Sequence, residues 1–162
     1  MSPVTPEGEF RLPEVVIGFD FGLRRIGLAV GDTLTGTARP LPAVERKNPE
    51  LTDVEWRAIE IEVIKAGARQ LVVGYPYHVD GTASPMTGRA KAFATALGER
   101  LKLAVHLVDE RYSSLEAEAA LRDRRSTRYR KRYDRGAIDS AAATVVLERW
   151  LAGERRGTTT DV

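Results

Sequence analysis

Apolar and polar positions change period several times along this chain, and each change marks an element. VVIGFDF (15–21) is a short, nearly unbroken apolar run of the kind that forms a buried strand, and IGLAVGD (26–32) is a second. The intervening GLRR predicts a tight hairpin. TARPLPAV (37–44) predicts a third strand whose prolines confine it to an edge or end it early. Thr52 and Glu55 then have capping-box spacing, and Val54, Ala58, Ile61 and Ile64 follow at helical intervals, which predicts a helix ending near Gly67. QLVVGYP (70–76) is a β-branched strand that leaves into HVDGTAS, a loop rich in turn formers. Ser84 can cap a further helix with Pro85 at its first position, and Met86, Ala90, Phe93, Leu97 and Leu101 lie on its core-directed face. LAVHLVDE (103–110) is another buried-type strand, followed by Ser113 and Glu116 as a second capping box opening a short helix. AIDSAAATVVLERWL (137–151) predicts a last helix with Ile138, Ala141, Ala142, Val145 and Val146 on its apolar face and Gly153 as its stop. The order β-β-β-α-β-α-β-α predicts the α/β class, with a mixed five-stranded sheet flanked by helices. Hairpin-joined strands should be antiparallel, and those joined through helices parallel.

Length and composition add boundaries. A chain of 162 residues predicts one domain, since single cores run to roughly 100–200 residues. With 43% hydrophobic and 30% charged residues it can bury a real core. Residues 1–14, with three prolines, read as a flexible arm and residues 153–162 as a flexible tail, leaving 15–152 as the domain. The absence of cysteine excludes a disulfide framework, a thiolate zinc site and a cysteine nucleophile, and suits a reducing compartment. No signal-peptide pattern opens the chain, and no apolar run reaches the about 18 residues of a membrane span, so a cytoplasmic location is expected.

The net charge of +2 hides an asymmetry. RDRRSTRYRKRYDR (122–135) holds eight basic and two acidic residues, a local +6 that leaves −4 for the remainder. Such a block reads as a contact for nucleic acid or another anionic surface, against the plainer reading of a solvated face. Tyr129 and Tyr133 interleave it and can stack on unpaired bases.

Three acids stand where folding alone would not put them. Asp20 interrupts an apolar strand near its carboxyl end, Glu110 ends a strand expected to be parallel to it, and Asp139 opens the last helix beside an alanine-rich face. Singly each has a plain role, as a turn former, a solvated strand end or a helix-end charge. Together they suit hard, oxygen-preferring Mg²⁺ or Mn²⁺, because ligand sites in open α/β sheets lie outside the carboxyl ends of the strands. Such metals activate water and stabilise the leaving oxygen of a phosphodiester.

GFDFGLRRIGLAVGD (18–32), VVGYPYHVDGTASPMT (72–87), VDERYSS (108–114) and IDSAAATVVL (138–147), in that order, resemble the YqgF/RuvX family over about residues 15–151. The resemblance implies an RNase H-like fold, with Asp20, Glu110 and Asp139 as metal-binding catalytic acids and Asp109 as the alternative for the middle position. It implies a metal-dependent nuclease maturing the 5′ end of pre-16S ribosomal RNA, or alternatively a DNA endonuclease like the Holliday junction resolvases. A resolvase would need paired active sites and hence a homodimer. The rival of a different class is a non-catalytic nucleic-acid-binding module on the same fold. Tyr75 and Tyr77 stand where the family more often has Leu, and Gly31 where Ser is common; Tyr75 is expected to pack in the core.

Around these acids, Arg111 is a candidate phosphate contact or a salt-bridge partner of its acidic neighbours, and Arg124, Arg125, Arg128, Arg130, Lys131 and Arg132 would grip a nucleic-acid backbone. His78 reads either as a group orienting water or substrate or, more plainly, as an exposed loop residue, and His106 reads as structural. The Asp80-Gly81-Thr82 turn and Ser84 offer amides at a helix start, suited equally to an anion or to an ordinary cap. Asp20-Phe21-Gly22 matches a kinase triplet by accident, with no Gly-rich loop beside it, and neither a P-loop nor a dinucleotide fingerprint occurs. The Asp-x-Gly turn after a first strand also occurs in actin-like ATPases, whose nucleotide-enclosing second domain has no counterpart in 162 residues.

Overall fold

The elements follow one another in the predicted order in a computed structural model that describes residues 12–22, 24–75, 85–109 and 140–155. They are β1 (Val15–Phe21), β2 (Arg25–Asp32), β3 (Ala38–Glu45), α1 (Asp53–Ala66), β4 (Ala68–Tyr75), α2 (Pro85–Leu101), β5 (Ala104–Asp109) and α3 (Ala141–Arg155). The strands form one mixed sheet in the order β3-β2-β1-β4-β5. β1 pairs antiparallel with β2, and β2 with β3, whereas β1–β4 and β4–β5 are parallel, as expected of hairpin and helical connections. β3 is an edge strand, which accommodates the missing amides of Pro40 and Pro42.

Strand alternation sorts the core into two layers. Ile17, Phe19 and Phe21 of β1 meet Trp56, Ile59 and Val63 of α1 and Ala90, Phe93, Ala94 and Leu97 of α2 on one face. Phe93 is the hub of that layer, with its ring centroid 5.7 Å from Phe19, 4.9 Å from Phe21 and 5.7 Å from Trp56. On the other face Val16, Ala29 and Val72 pack against Ala143, Val146, Leu147, Trp150 and Leu151 of α3. Gly18 permits this approach: a Cβ there would lie 2.9 Å from Leu147 Cβ and 3.4 Å from the Ala143 carbonyl oxygen.

The termini of α1 are as the sequence predicts. Thr52 and Glu55 form a reciprocal capping box, and Gly67 ends the helix in the left-handed region at φ 69°. Its buried face differs. Val54, Ile61 and Ile64 are exposed, and Trp56, Ile59 and Val63 carry the core contacts, because the ring of Trp56 stacks on Phe93. In α3, Ala141, Ala142 and Val145 are half-buried while Val146 is joined in the core by Ala143, Leu147, Trp150 and Leu151. The helix also continues through Gly153, the expected stop and first tail residue, to Arg155; glycine in a last turn costs only about 1 kcal/mol. Glu14, expected in the arm, is tied down: its amide donates to Thr33 Oγ1 at 3.0 Å, its carbonyl accepts the Thr33 amide, and its carboxylate accepts Gln70 Nε2 at 2.6 Å. The expected short helix opened by Ser113 lies outside the described residues.

Candidate active site

Asp20 is the penultimate residue of β1, at the edge of the sheet where β1, β4 and β5 all end. Its register partners are Gly27 on β2 and Gly74 on β4. Its half-buried carboxylate thus has glycine as register partner on both neighbouring strands. Gly74 pairs onward with Val108 of β5, so the row Gly27-Asp20-Gly74-Val108 crosses four strands. Asp20 shares the sheet face of Val16 and Gly18, which is the face covered by α3.

Asp109, the alternative middle acid, stands one row further along, opposite Tyr75. Alternation gives it the face of Val105 and Leu107, which pack against the α1 and α2 side, away from Asp20. His106 and Val108 take the α3 face. His106 packs as expected, stacked 4.9 Å from Trp150 with Nε2 2.7 Å from Gln70 Oε1. Tyr75 is half-buried against the core, with Lys91 Nζ 5.2 Å from its ring centroid.

Of the predicted site, Asp20 falls within the described residues. Glu110, Asp139, Arg111, Arg124, Arg125, Arg128, Arg130, Lys131 and Arg132 lie outside them, as do Tyr77, His78 and the turn at 80–82. The chain neighbours of both remaining acids are nevertheless anchored, one on β2 and β3 and the other on α3. Ser140, which follows Asp139, is fully buried; its hydroxyl accepts the Leu28 amide at 3.0 Å and donates to the Leu41 carbonyl at 2.7 Å. Asp109, which precedes Glu110, has its carbonyl oxygen 3.0 Å from Arg149 Nη1 of α3. Sequence reasoning missed Ser140. Its signal was a lone small polar residue directly after a candidate acid at a helix start, where a cap is the ordinary reading.

Among the described residues no three His, Asp or Glu side chains gather to hold a metal ion. Asp20 fits a hard divalent cation in its donor chemistry, because carboxylate oxygen is the donor such ions prefer and it stands at the edge of the sheet where β1, β4 and β5 end. No described helix is long and apolar enough to cross a membrane.

A family model described as RuvX, Holliday junction resolvase, matches residues 14–153. A protein of Xylella fastidiosa (strain M23), provisionally named pre-16S rRNA nuclease, is 40% identical over 154 residues, covering 94% of this chain and 97% of its own length. A protein of Salmonella paratyphi B with the same provisional name is 37% identical over 140 residues, 86% of this chain and 97% of its own. Among solved structures, Thermus thermophilus RuvC in complex with a Holliday junction substrate aligns with a TM-score of 0.57 at 16% identity, over 92% of this chain and 99% of that one. That likeness is one of fold, and it bears out the RNase H-like expectation.

Proposed function

The chain belongs to the RuvX family, and on that premise we propose that it is a metal-dependent nuclease that hydrolyses phosphodiester bonds in structured RNA, processing the 5′ end of pre-16S ribosomal RNA in the cytoplasm. The observation that carries the reading is the position of Asp20: an acid at the carboxyl edge of the sheet with glycine as register partner on both sides, while β2 and β3 hold Ser140, next to Asp139, and α3 holds Asp109, next to Glu110. Alternation argues against Asp109 as its partner, because Asp109 takes the face of Val105 and Leu107, opposite to that of Asp20, which leaves Glu110 as the middle acid in this reading.

In this reading Asp20, Glu110 and Asp139 together hold Mg²⁺ or Mn²⁺. When bound, the metal supplies an activated water and neutralises charge on the scissile phosphate. The residues of the chain position it. Rigid β1 places the Asp20 oxygens, Ser140 fixes the start of α3, and Arg149 holds the end of β5. Arg111 and the cations Arg124, Arg125, Arg128, Arg130, Lys131 and Arg132 would bind the polyanion.

A second reading, cleavage of branched DNA by a homodimer, is favoured by the description of the matching family model as a Holliday junction resolvase. Incubating the wild-type protein with labelled precursor ribosomal RNA, single-stranded RNA and a four-way DNA junction, each with Mn²⁺, Mg²⁺ or chelator, separates the readings. Metal-dependent cutting of the RNA precursor is expected. Preferential cutting of the junction would select the second reading, and binding without cutting under every condition would leave a binding module.

A further inference from the structure

A basic cleft of about 500 Å³ opens at the same end of the sheet as Asp20. Its cations come from three segments: Arg24 and Arg25 at the β1–β2 turn, Arg46 and Lys47 just past β3, and Arg89 near the start of α2. Glu45 is the carboxylate in its lining, and it lies 3.6 Å from Arg25. Among the described residues no carboxylate comes within ion-pair distance of Arg24, Lys47 or Arg89, and all three side chains are exposed.

Arg46 forms the floor and is only 6% exposed. Its guanidinium sits 4.4 Å from the centroid of the Phe21 ring, with Nη1 donating to the Gly22 carbonyl at 2.5 Å and Nη2 to the Pro49 carbonyl at 2.6 Å. Its buried Nε has no hydrogen-bond partner among the described residues. Burial lowers the Arg46 pKa, Glu55 offsets this, and the charge of Arg89 lowers it further, so the two arginines are close enough to oppose each other. A cluster of like charges costs self-repulsion, which a bound anion would offset. With a volume of about 500 Å³ and cations from three segments, the cleft has room and charge for more than one phosphate group.

We infer that this cleft holds one strand's phosphodiester backbone, with phosphates on Arg24, Lys47 and Arg89 and Arg46 supporting the floor from below. The inference rests on the nuclease reading and adds a substrate contact apart from the 122–135 block. Phe21 under the cleft follows Asp20 directly, and consecutive Cα atoms are about 3.8 Å apart. A strand leaving the cleft has only to cross the end of β1, from the Phe21 face to the Asp20 face, to reach Asp20.

The test is fluorescence anisotropy of a labelled single-stranded oligoribonucleotide, in chelator so that nothing is cut, at a series of salt concentrations. The cleft variant is R24Q/K47Q/R89Q, the charge-conserving variant is R24K/R89K, and R39Q/K65Q/R69Q removes equal charge from exposed positions at the opposite end of the sheet. Three lost phosphate contacts should flatten the dependence of log K on log salt by about 2 and weaken binding about tenfold or more. The conserving variant should bind like wild type, the opposite-end variant should keep the wild-type slope, and all melting temperatures should be unchanged. A cleft variant with the wild-type slope, or an opposite-end variant that loses as much, overturns the cleft while a wild type that cuts RNA leaves the nuclease reading standing. A wild type that binds no oligonucleotide overturns the cleft, and one that also cuts no precursor ribosomal RNA when metal is supplied overturns the nuclease reading.

Discussion

The Ser140 hydroxyl accepts the Leu28 amide and donates to the Leu41 carbonyl, and so stands in for a rung of the β2–β3 ladder. Leu28 and Leu41 are register partners beside the irregularity between Ile26 and Leu28, where regular pairing breaks. One side chain thereby satisfies two backbone groups and fixes the first turn of α3 directly after Asp139.

Ser140→Ala should leave a buried amide and a buried carbonyl unsatisfied, at about 1–3 kcal/mol. Urea unfolding should show a lower midpoint with an unchanged slope. Nuclease activity should fall further than stability explains, because the neighbouring acid loses its anchor.

Gly18→Ala tests the contact between β1 and α3. The added methyl meets Leu147 Cβ at 2.9 Å, an atom that cannot swing aside without moving the helix. A loss of about 1–3 kcal/mol is expected in denaturant unfolding.

Much of this architecture was legible because the strands are buried apolar runs bounded by turn formers, and a mixed sheet follows from the connection types. The face of α1 was not. Val54, Ala58, Ile61 and Ile64 repeat at helical spacing just as Trp56, Ile59 and Val63 do, so periodicity offers two stripes, and the aromatic stack on Phe93 decides between them. In α3 the choice depends on Gly18, a residue more than a hundred positions away that shapes the surface the helix meets. At the candidate site, Asp20 was legible as a charge inside an apolar strand. Its glycine neighbours were not, because Gly27 and Gly74 become adjacent to it only through strand register.

Phe93→Ala should be among the most destabilising core substitutions. The ring touches Phe19, Phe21 and Trp56 at once, and its removal should cost about 3–5 kcal/mol. Calorimetry should show a clearly lowered melting temperature.

Stability should fall in acid through Glu55. Hydrogen bonding from the Thr52 amide, with a further bond from the Lys47 amide, holds its carboxyl below the usual range despite burial. A lowered folded-state pKa contributes stability that is fully present above the unfolded value, about 4.3, and is lost as pH falls through the folded value. Glu55→Gln should therefore flatten the acid limb of a stability curve measured from pH 7 downwards. An acid limb as steep as that of wild type would contradict the assignment.

The central claim is that Asp20 holds the metal on which cleavage depends. Asp20→Asn keeps the size of the side chain and removes its charge, so the most direct measurement compares cleavage of labelled precursor ribosomal RNA by this variant and by wild type across a Mn²⁺ titration, with thermal melting recorded alongside. The account predicts that wild type cuts and gains melting temperature with Mn²⁺, while the variant folds, binds RNA, does neither and is not rescued at high metal. A variant that cuts at the wild-type rate, with the same metal dependence, would contradict it.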